Sequence, residues 1–134
     1  VLTSVNGAAM LFERLDALGC DARDLAGVKL CVIGSATAAA VRERFLRIDL
    51  MPERYVAEDV LEALAASGDL KGKRFLLPRA DIARSFLPEE LRARGAEVPE
   101  LVAYRTIRPE ACNELADAML AYQPDLVTFT SSST

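Results

Sequence analysis

Small hydroxyl side chains, an amide, an arginine and a tyrosine collect where apolar runs give way to polar ones. They are Thr3, Ser4 and Asn6; Gly34, Ser35 and Thr37; Arg79; Tyr104; and Ser131, Ser132 and Ser133. If each run is a strand feeding a helix, these residues occupy the helix's first turn. Backbone N–H groups there have no intrahelical partner, and the helix dipole favours an anion. That chemistry suits phosphates or carboxylates. Ser4, Asn6, Ser35 and Thr37 would serve equally well as N-caps, worth about 1 kcal/mol each. For any one of them the cap is the simpler account; the set along one edge points to a ligand. Arg79 follows an apolar run and Pro78, at the rim or paired with a neighbouring helix. Tyr104 ends an extended run and is either functional or an amphipathic packing residue.

What is missing narrows the chemistry. The 134 residues contain no histidine, which removes the usual general base and the commonest metal ligand. A Ser-His-Asp triad is impossible within this segment. There is no glycine-rich run ending in Gly-Lys-Ser/Thr and no G-x-G-x-x-G, hence no nucleotide loop of either kind. No strand ends in an aspartate placed to accept a phosphoryl group. A net charge of −4 argues against nucleic acid and anionic lipid as partners. The three cysteines, Cys20, Cys31 and Cys112, lack metal-ligand spacing and read as reduced thiols of a cytoplasmic protein, with Cys31 in the core. No stretch approaches the ~20 apolar residues of a membrane span.

The elements that must position these residues alternate along the chain. Val5, Ala8, Phe12, Leu15 and Leu18 fall at helical spacing and stop at Gly19. Val28 to Ile33 reads as a buried strand turning at Gly34-Ser35 into a helix over Ala36 to Phe45. Ile48 to Met51 is a short strand, Glu58 to Ala66 a helix, and Arg74 to Leu77 the next strand. Asp81 is placed to cap the following helix, with Pro88 tolerated in a first turn and Gly95 as terminator. Glu97 to Thr106 is extended, Pro109 to Tyr122 helical, and Asp125 to Thr130 a strand. Strands separated by helices imply right-handed βαβ units. The fold class expected is α/β: doubly wound, with a mainly parallel, flavodoxin-like sheet. Both ends read as cut, so a segment of a longer protein is expected. An echo of Leu2-Thr3-Ser4 in Phe129-Thr130-Ser131 hints at two related lobes.

Taken in order, these pieces resemble the uroporphyrinogen-III synthase family. The resemblance rests on Thr3-Ser4-Val5-Asn6-Gly7-Ala8, Ile33-Gly34-Ser35-Ala36-Thr37-Ala38 and Pro52-Glu53-Arg54-Tyr55-Val56-Ala57-Glu58. It continues through Leu76 to Ala80, Gly95-Ala96-Glu97-Val98 with Tyr104-Arg105-Thr106, and Phe129 to Ser132. Each piece is weak alone; six in order over nearly the whole chain are fairly specific.

The resemblance implies two α/β lobes joined by a connector, with the active site in the cleft between them. Residues 1–104 would form most of one lobe, lacking its first strand and helix. Residues 105–134 would form the connector and begin the return through the other lobe. It implies a cofactor-free, metal-free dehydration and cyclisation of hydroxymethylbilane, an octa-carboxylate, with inversion of the last pyrrole ring. Thr3, Ser4, Asn6, Gly34, Ser35, Thr37, Arg79 and Ser131 to Ser133 would then bind substrate carboxylates, and Tyr104 would assist loss of the hydroxyl. It also implies a monomer at full length and delivery of substrate from hydroxymethylbilane synthase. The segment alone is expected to be inactive. Two other readings remain open: a non-catalytic α/β module for a small anionic metabolite, and a structural or regulatory flavodoxin-like domain.

Overall fold

The computed structural model describes residues 1–107 and 112–128. Among the described residues, five extended segments lie side by side and the pairings among them are parallel. Leu50 bridges Cys31, Val32 bridges Leu2, and the Val1 amine donates to the Leu76 carbonyl at 2.8 Å beside the next strand. That strand, β1 (Leu77–Ala80), pairs with β2 (Glu100–Tyr104), and the pairing extends back through a bridge between Arg74 and Glu97. The chain therefore runs outward from Leu2 to Leu50 in one direction, then crosses back to build β1 and β2 on the other side. A topological switch point lies between the Leu2 segment and β1.

Alternate residues of these segments face opposite ways, as the two-residue period of a strand requires. Leu30 and Val32 join Leu2 on one face, packing with Ala8, Phe12, Ala38 and Val41. These come from α1 (Val5–Ala17) and α2 (Ser35–Arg42). Cys31 and Leu77 face the other way, into a larger core with Val60, Leu61, Leu64, Leu87 and Leu91. That side is covered by α3 (Ala57–Ala66) and α4 (Phe86–Ala93). Helices thus cover both faces of a parallel sheet, the doubly wound α/β arrangement expected. Burial pushes the Cys31 thiol above its ordinary range, as suits a core residue. Among the described residues no helix is long and apolar enough to cross a membrane.

Several boundaries differ from the sequence-based expectation, each for a local reason. α2 stops at Arg42, because Phe45 takes a left-handed φ of 59° and the chain turns there. Arg44 is then tied back to α1, 3.1 Å from Asp16 and with its guanidinium over the Phe12 ring. The run from Val28 joins its neighbours only from Leu30 onward; Val28 and Lys29 are exposed. α4 starts after Ser85, with Pro88 in its first turn. Asp81 does not cap it and serves another purpose, described below. A 3-10 turn at Ala22–Leu25, held by a reciprocal Asp21/Asp24 capping box, has no periodic signal in the sequence. Beyond β2, α5 (Cys112–Tyr122) forms within the span expected to be helical, whereas residues 125–128 are not in a strand; residues 109–111 and 129–130 of those two expected elements lie outside the described residues.

Candidate functional site

Ligands of open α/β sheets bind beyond the carboxyl ends of the strands, at the switch point. Two of the expected residues meet there, and two more flank them. Ser4, in extended conformation (φ −154°), caps α1 by accepting from the Gly7 N–H at 3.0 Å. Its Oγ also lies 2.9 Å from the Tyr104 Oη, bringing together residues one hundred positions apart. Thr3 and Asn6 are exposed on either side of it. Gly7 permits this arrangement by its lack of a side chain. A Cβ at Gly7 would sit 2.7 Å from the Pro78 carbonyl oxygen, so only glycine lets α1 rest this close to β1.

Tyr104 reaches Ser4 because β2 is bulged. The register runs Leu77 with Glu100, Pro78 with Leu101 and Arg79 with Val102, then slips so that Ala80 opposes Tyr104. Without the extra residue, alternation would turn Tyr104 toward α4, on the side of Leu77 and Arg79. The slip turns it to the side of Pro78 and Ala80, where α1 begins. A bulge that re-aims one side chain at a strand end is a recurrent feature of functional sites. Asp81 fastens the strand just past the bulge. Its N–H donates to the Tyr104 carbonyl at 3.1 Å, and its Oδ1 accepts from the Thr106 N–H at 3.0 Å. The same oxygen accepts from the Ile82 N–H. In the sequence Asp81 reads only as a helix cap; nothing local reveals a partner 25 residues away.

The neighbouring corner is built differently. Backbone bonds between Ile33 and Leu2 put Gly34 beside Thr3 and Ser4. Gly34 is the N-cap of α2, with φ 82° and ψ 154°, a conformation nearly confined to glycine. It has no side chain to cap the helix, so the first N–H groups of α2 are left to solvent or a ligand. Ser35 is exposed in that first turn. The Tyr55 ring lies against Gly34, at 3.8 Å from where a Cβ would stand, and is half exposed. In the sequence Tyr55 stands out only as part of a motif; its place over Gly34 is a tertiary fact.

Other candidates lie elsewhere. Thr37 is buried, 3% exposed, on the face of α2 turned toward the core and so beneath the rim. Arg79 points to the α4 side of the sheet, where its guanidinium donates to the carbonyls of Ala83 and Arg84. It lines a shallow cavity of about 210 Å³ with Ser85, Pro88, Arg92 and Val98, away from the Ser4–Tyr104 pair. Ser131, Ser132 and Ser133 lie outside the described residues.

Comparison with known proteins gives a consistent result. The family profile described as uroporphyrinogen-III synthase HemD matches residues 1–134. A Methanothermobacter thermautotrophicus protein provisionally named uroporphyrinogen-III synthase is 43% identical over 108 residues, covering 78% of this chain and 42% of its own length. The porphyrin biosynthesis protein HemD of Ruminiclostridium josui is 31% identical across 100% of the chain and 27% of its own length. The uroporphyrinogen-III synthase of Synechococcus elongatus is 28% identical across 100% of the chain and 50% of its own. The chain thus spans half or less of the length of these relatives. Among solved structures, a mutant uroporphyrinogen III synthase from Thermus thermophilus superposes with a TM-score of 0.66 at 24% identity. It covers 92% of this chain and 48% of the solved one, a likeness of fold. With a profile matched from the first residue to the last, the chain belongs to the uroporphyrinogen-III synthase family.

Proposed function

We propose that this chain supplies one lobe of a uroporphyrinogen-III synthase, a cofactor-independent lyase of the cytoplasm. It dehydrates hydroxymethylbilane and closes it to uroporphyrinogen III with inversion of the last pyrrole ring. The observation that carries the reading is the Tyr104 hydroxyl, aimed by a bulge to within 2.9 Å of Ser4 at the switch point of the sheet. In a family of this name, a phenol at that place is suited to hydrogen-bond the departing hydroxyl.

The substrate carries eight carboxylates and loses its hydroxyl readily, so the enzyme's main task is orientation. Holding reacting ends in line can supply several kcal/mol without an acid or base of special strength. The exposed Thr3, Asn6 and Ser35, with the uncapped N–H groups of α2 behind Gly34, provide donors for carboxylates. Thr37 supports that turn from beneath. Arg79 acts on the α4 side, where its guanidinium ties down the loop that follows β1. Ser131 to Ser133 would add further hydroxyl donors for carboxylates. The runner-up, a non-catalytic module for a small anionic metabolite, draws on the same uncapped turn of α2.

The deciding experiment supplies fresh hydroxymethylbilane to the polypeptide that carries this segment together with its complementary lobe. Spontaneous closure gives mainly the uninverted type I ring. Predominant type III product is expected. Type I product at the blank rate, from a folded protein, overturns the enzyme reading in favour of the binding module.

A further inference from the structure

We infer that Ser4 and Asp81 are positioning residues for Tyr104, one acting on its hydroxyl and the other on its backbone. The inference rests on the proposed synthase reading and assigns both residues a role other than contact with substrate. Ser4 is the plainer case. Its single oxygen already accepts from the Gly7 N–H at 3.0 Å and meets the Tyr104 Oη at 2.9 Å. Those two bonds fix the phenol relative to the start of α1. The start of α1 is in turn fixed against β1 by the close approach of Gly7 to Pro78.

Asp81 poses a sharper question, because a carboxylate at the rim of a site for a poly-anion repels what the site must hold. Its bonding resolves this. The Oδ1 accepts from the N–H groups of Ile82 and Thr106, both at 3.0 Å, while its own N–H holds the Tyr104 carbonyl at 3.1 Å. The carboxylate is thereby turned toward the backbone on the far side of Arg105. Tyr104 and Thr106 are pinned on either side of that residue, immediately after the register slip that turns the tyrosine toward α1. A bulge locally disrupts the ladder and leaves the strand end free to twist. Asp81 replaces the lost constraint. Without it the phenol keeps its hydroxyl and loses its aim.

Both residues act through Tyr104, so their effects must vanish with it. Four rates are measured on the polypeptide carrying both lobes: wild type, Ser4→Gly, Tyr104→Phe and the double variant. Ser4→Gly is chosen because glycine is tolerated as an N-cap while the hydroxyl is removed. It is expected to lower kcat roughly 10-fold with KM little changed, since a small misplacement of a reacting group costs that much or more. In the Tyr104→Phe background the same change is expected to cost no further rate. Ser4→Thr, which keeps a hydroxyl, recovers most of the loss. Asp81→Ala follows the same four-rate design, with Asp81→Asn, which keeps the acceptor oxygen, as its rescue. Melting curves confirm that each variant is folded.

Unchanged turnover in Ser4→Gly or Asp81→Ala overturns the role of that residue. So does an equal loss in both backgrounds, which marks a general structural effect, or a loss confined to KM, which marks contact with substrate. If the wild type itself yields type I product at the blank rate, the synthase reading fails and this inference with it. Type III product from the wild type with unaffected variants overturns the inference alone.

Discussion

Two corners of the same strand edge, side by side in the sheet, solve opposite problems. At the Ser4–Tyr104 corner the polar groups are paired with one another: hydroxyl to hydroxyl, carboxylate to backbone N–H, carbonyl to backbone N–H. At the Gly34 corner the helix opens on a residue without a side chain, and its first N–H groups receive no side-chain cap. Closed networks hold a group still, whereas open donors wait for an acceptor. On the proposed synthase reading, the difference would divide labour between aiming the Tyr104 phenol and holding the anionic arms of the substrate. Changes at the first corner are then expected to fall on kcat and changes at the second on KM.

The largest effect is expected from Tyr104→Phe. Phenylalanine keeps the ring and the bulge while removing the oxygen that meets the Ser4 Oγ. Ser4 retains its bond to Gly7, so α1 stays capped. Loss of a positioned proton donor is expected to lower kcat for type III ring closure by about 100-fold, with the protein still folded. Unchanged turnover would remove the tyrosine from the mechanism and erase the contrast between the corners.

Gly7→Ala comes next and attacks the closed corner through its scaffold. The added Cβ would lie 2.7 Å from the Pro78 carbonyl oxygen, a backbone atom that cannot swing aside. Alanine is the better helix former by about 1 kcal/mol, which offsets part of the clash. Overpacking costs typically about 1–3 kcal/mol, so a net destabilisation of up to about 2 kcal/mol is expected in a denaturant midpoint. The start of α1 must also move off β1, separating Ser4 from Tyr104, so kcat should fall as well. A more stable Gly7→Ala would show that helix and strand are less closely packed than they stand here.

Gly34→Ala tests the open corner. Here the neighbour is no obstacle, since the added Cβ would meet the Tyr55 ring at an ordinary 3.8 Å. The cost lies in the backbone: φ 82° with ψ 154° is strained for any residue with a Cβ, by about 1–2 kcal/mol. Relief of that strain would rotate the first turn of α2 and its donors. A lower melting temperature together with a raised KM and a nearly unchanged kcat is the expected signature. A fall in kcat of the Tyr104→Phe size would mean that both corners serve the same step.

Much of this architecture was legible in the sequence, and the gaps have a common cause. Apolar runs and helical spacing reveal the alternation of strands and helices, because burial on two faces imposes those periods directly. The strand-end residues Ser4, Gly34 and Tyr104 are legible for the same reason: polar residues that follow a buried run mark its exit. What cannot be read is register. The slip between Arg79 and Ala80 decides which face Tyr104 occupies, and it depends on how two strands meet. Arg79 illustrates the converse. It does stand at a strand end, yet strand alternation turns it to the α4 side, where nearby carbonyls engage it. Asp81 and Tyr55 act across the sheet edge, on partners that no local window contains.

The smallest expected effect is also the finest test of the contrast. In the sequence Ser35 reads as an N-cap or an anion ligand, two roles that one residue type serves equally well. The structure puts Gly34, and not Ser35, at the N-cap, with Ser35 exposed as the first residue of α2. Replacing it with alanine therefore removes no capping bond, and stability should stay within about 0.5 kcal/mol of the wild type. Ser4→Ala, which does remove a cap, should cost about 1 kcal/mol. Any functional effect of Ser35→Ala must then come from a lost hydrogen bond to the substrate, worth roughly 1 kcal/mol or about fivefold in KM. A chemical-denaturation curve and a KM measurement on the two serine variants separate the roles. Equal stability losses would mean that α2 is capped by Ser35 after all, and that its N–H groups are less open to a carboxylate than Gly34 makes them.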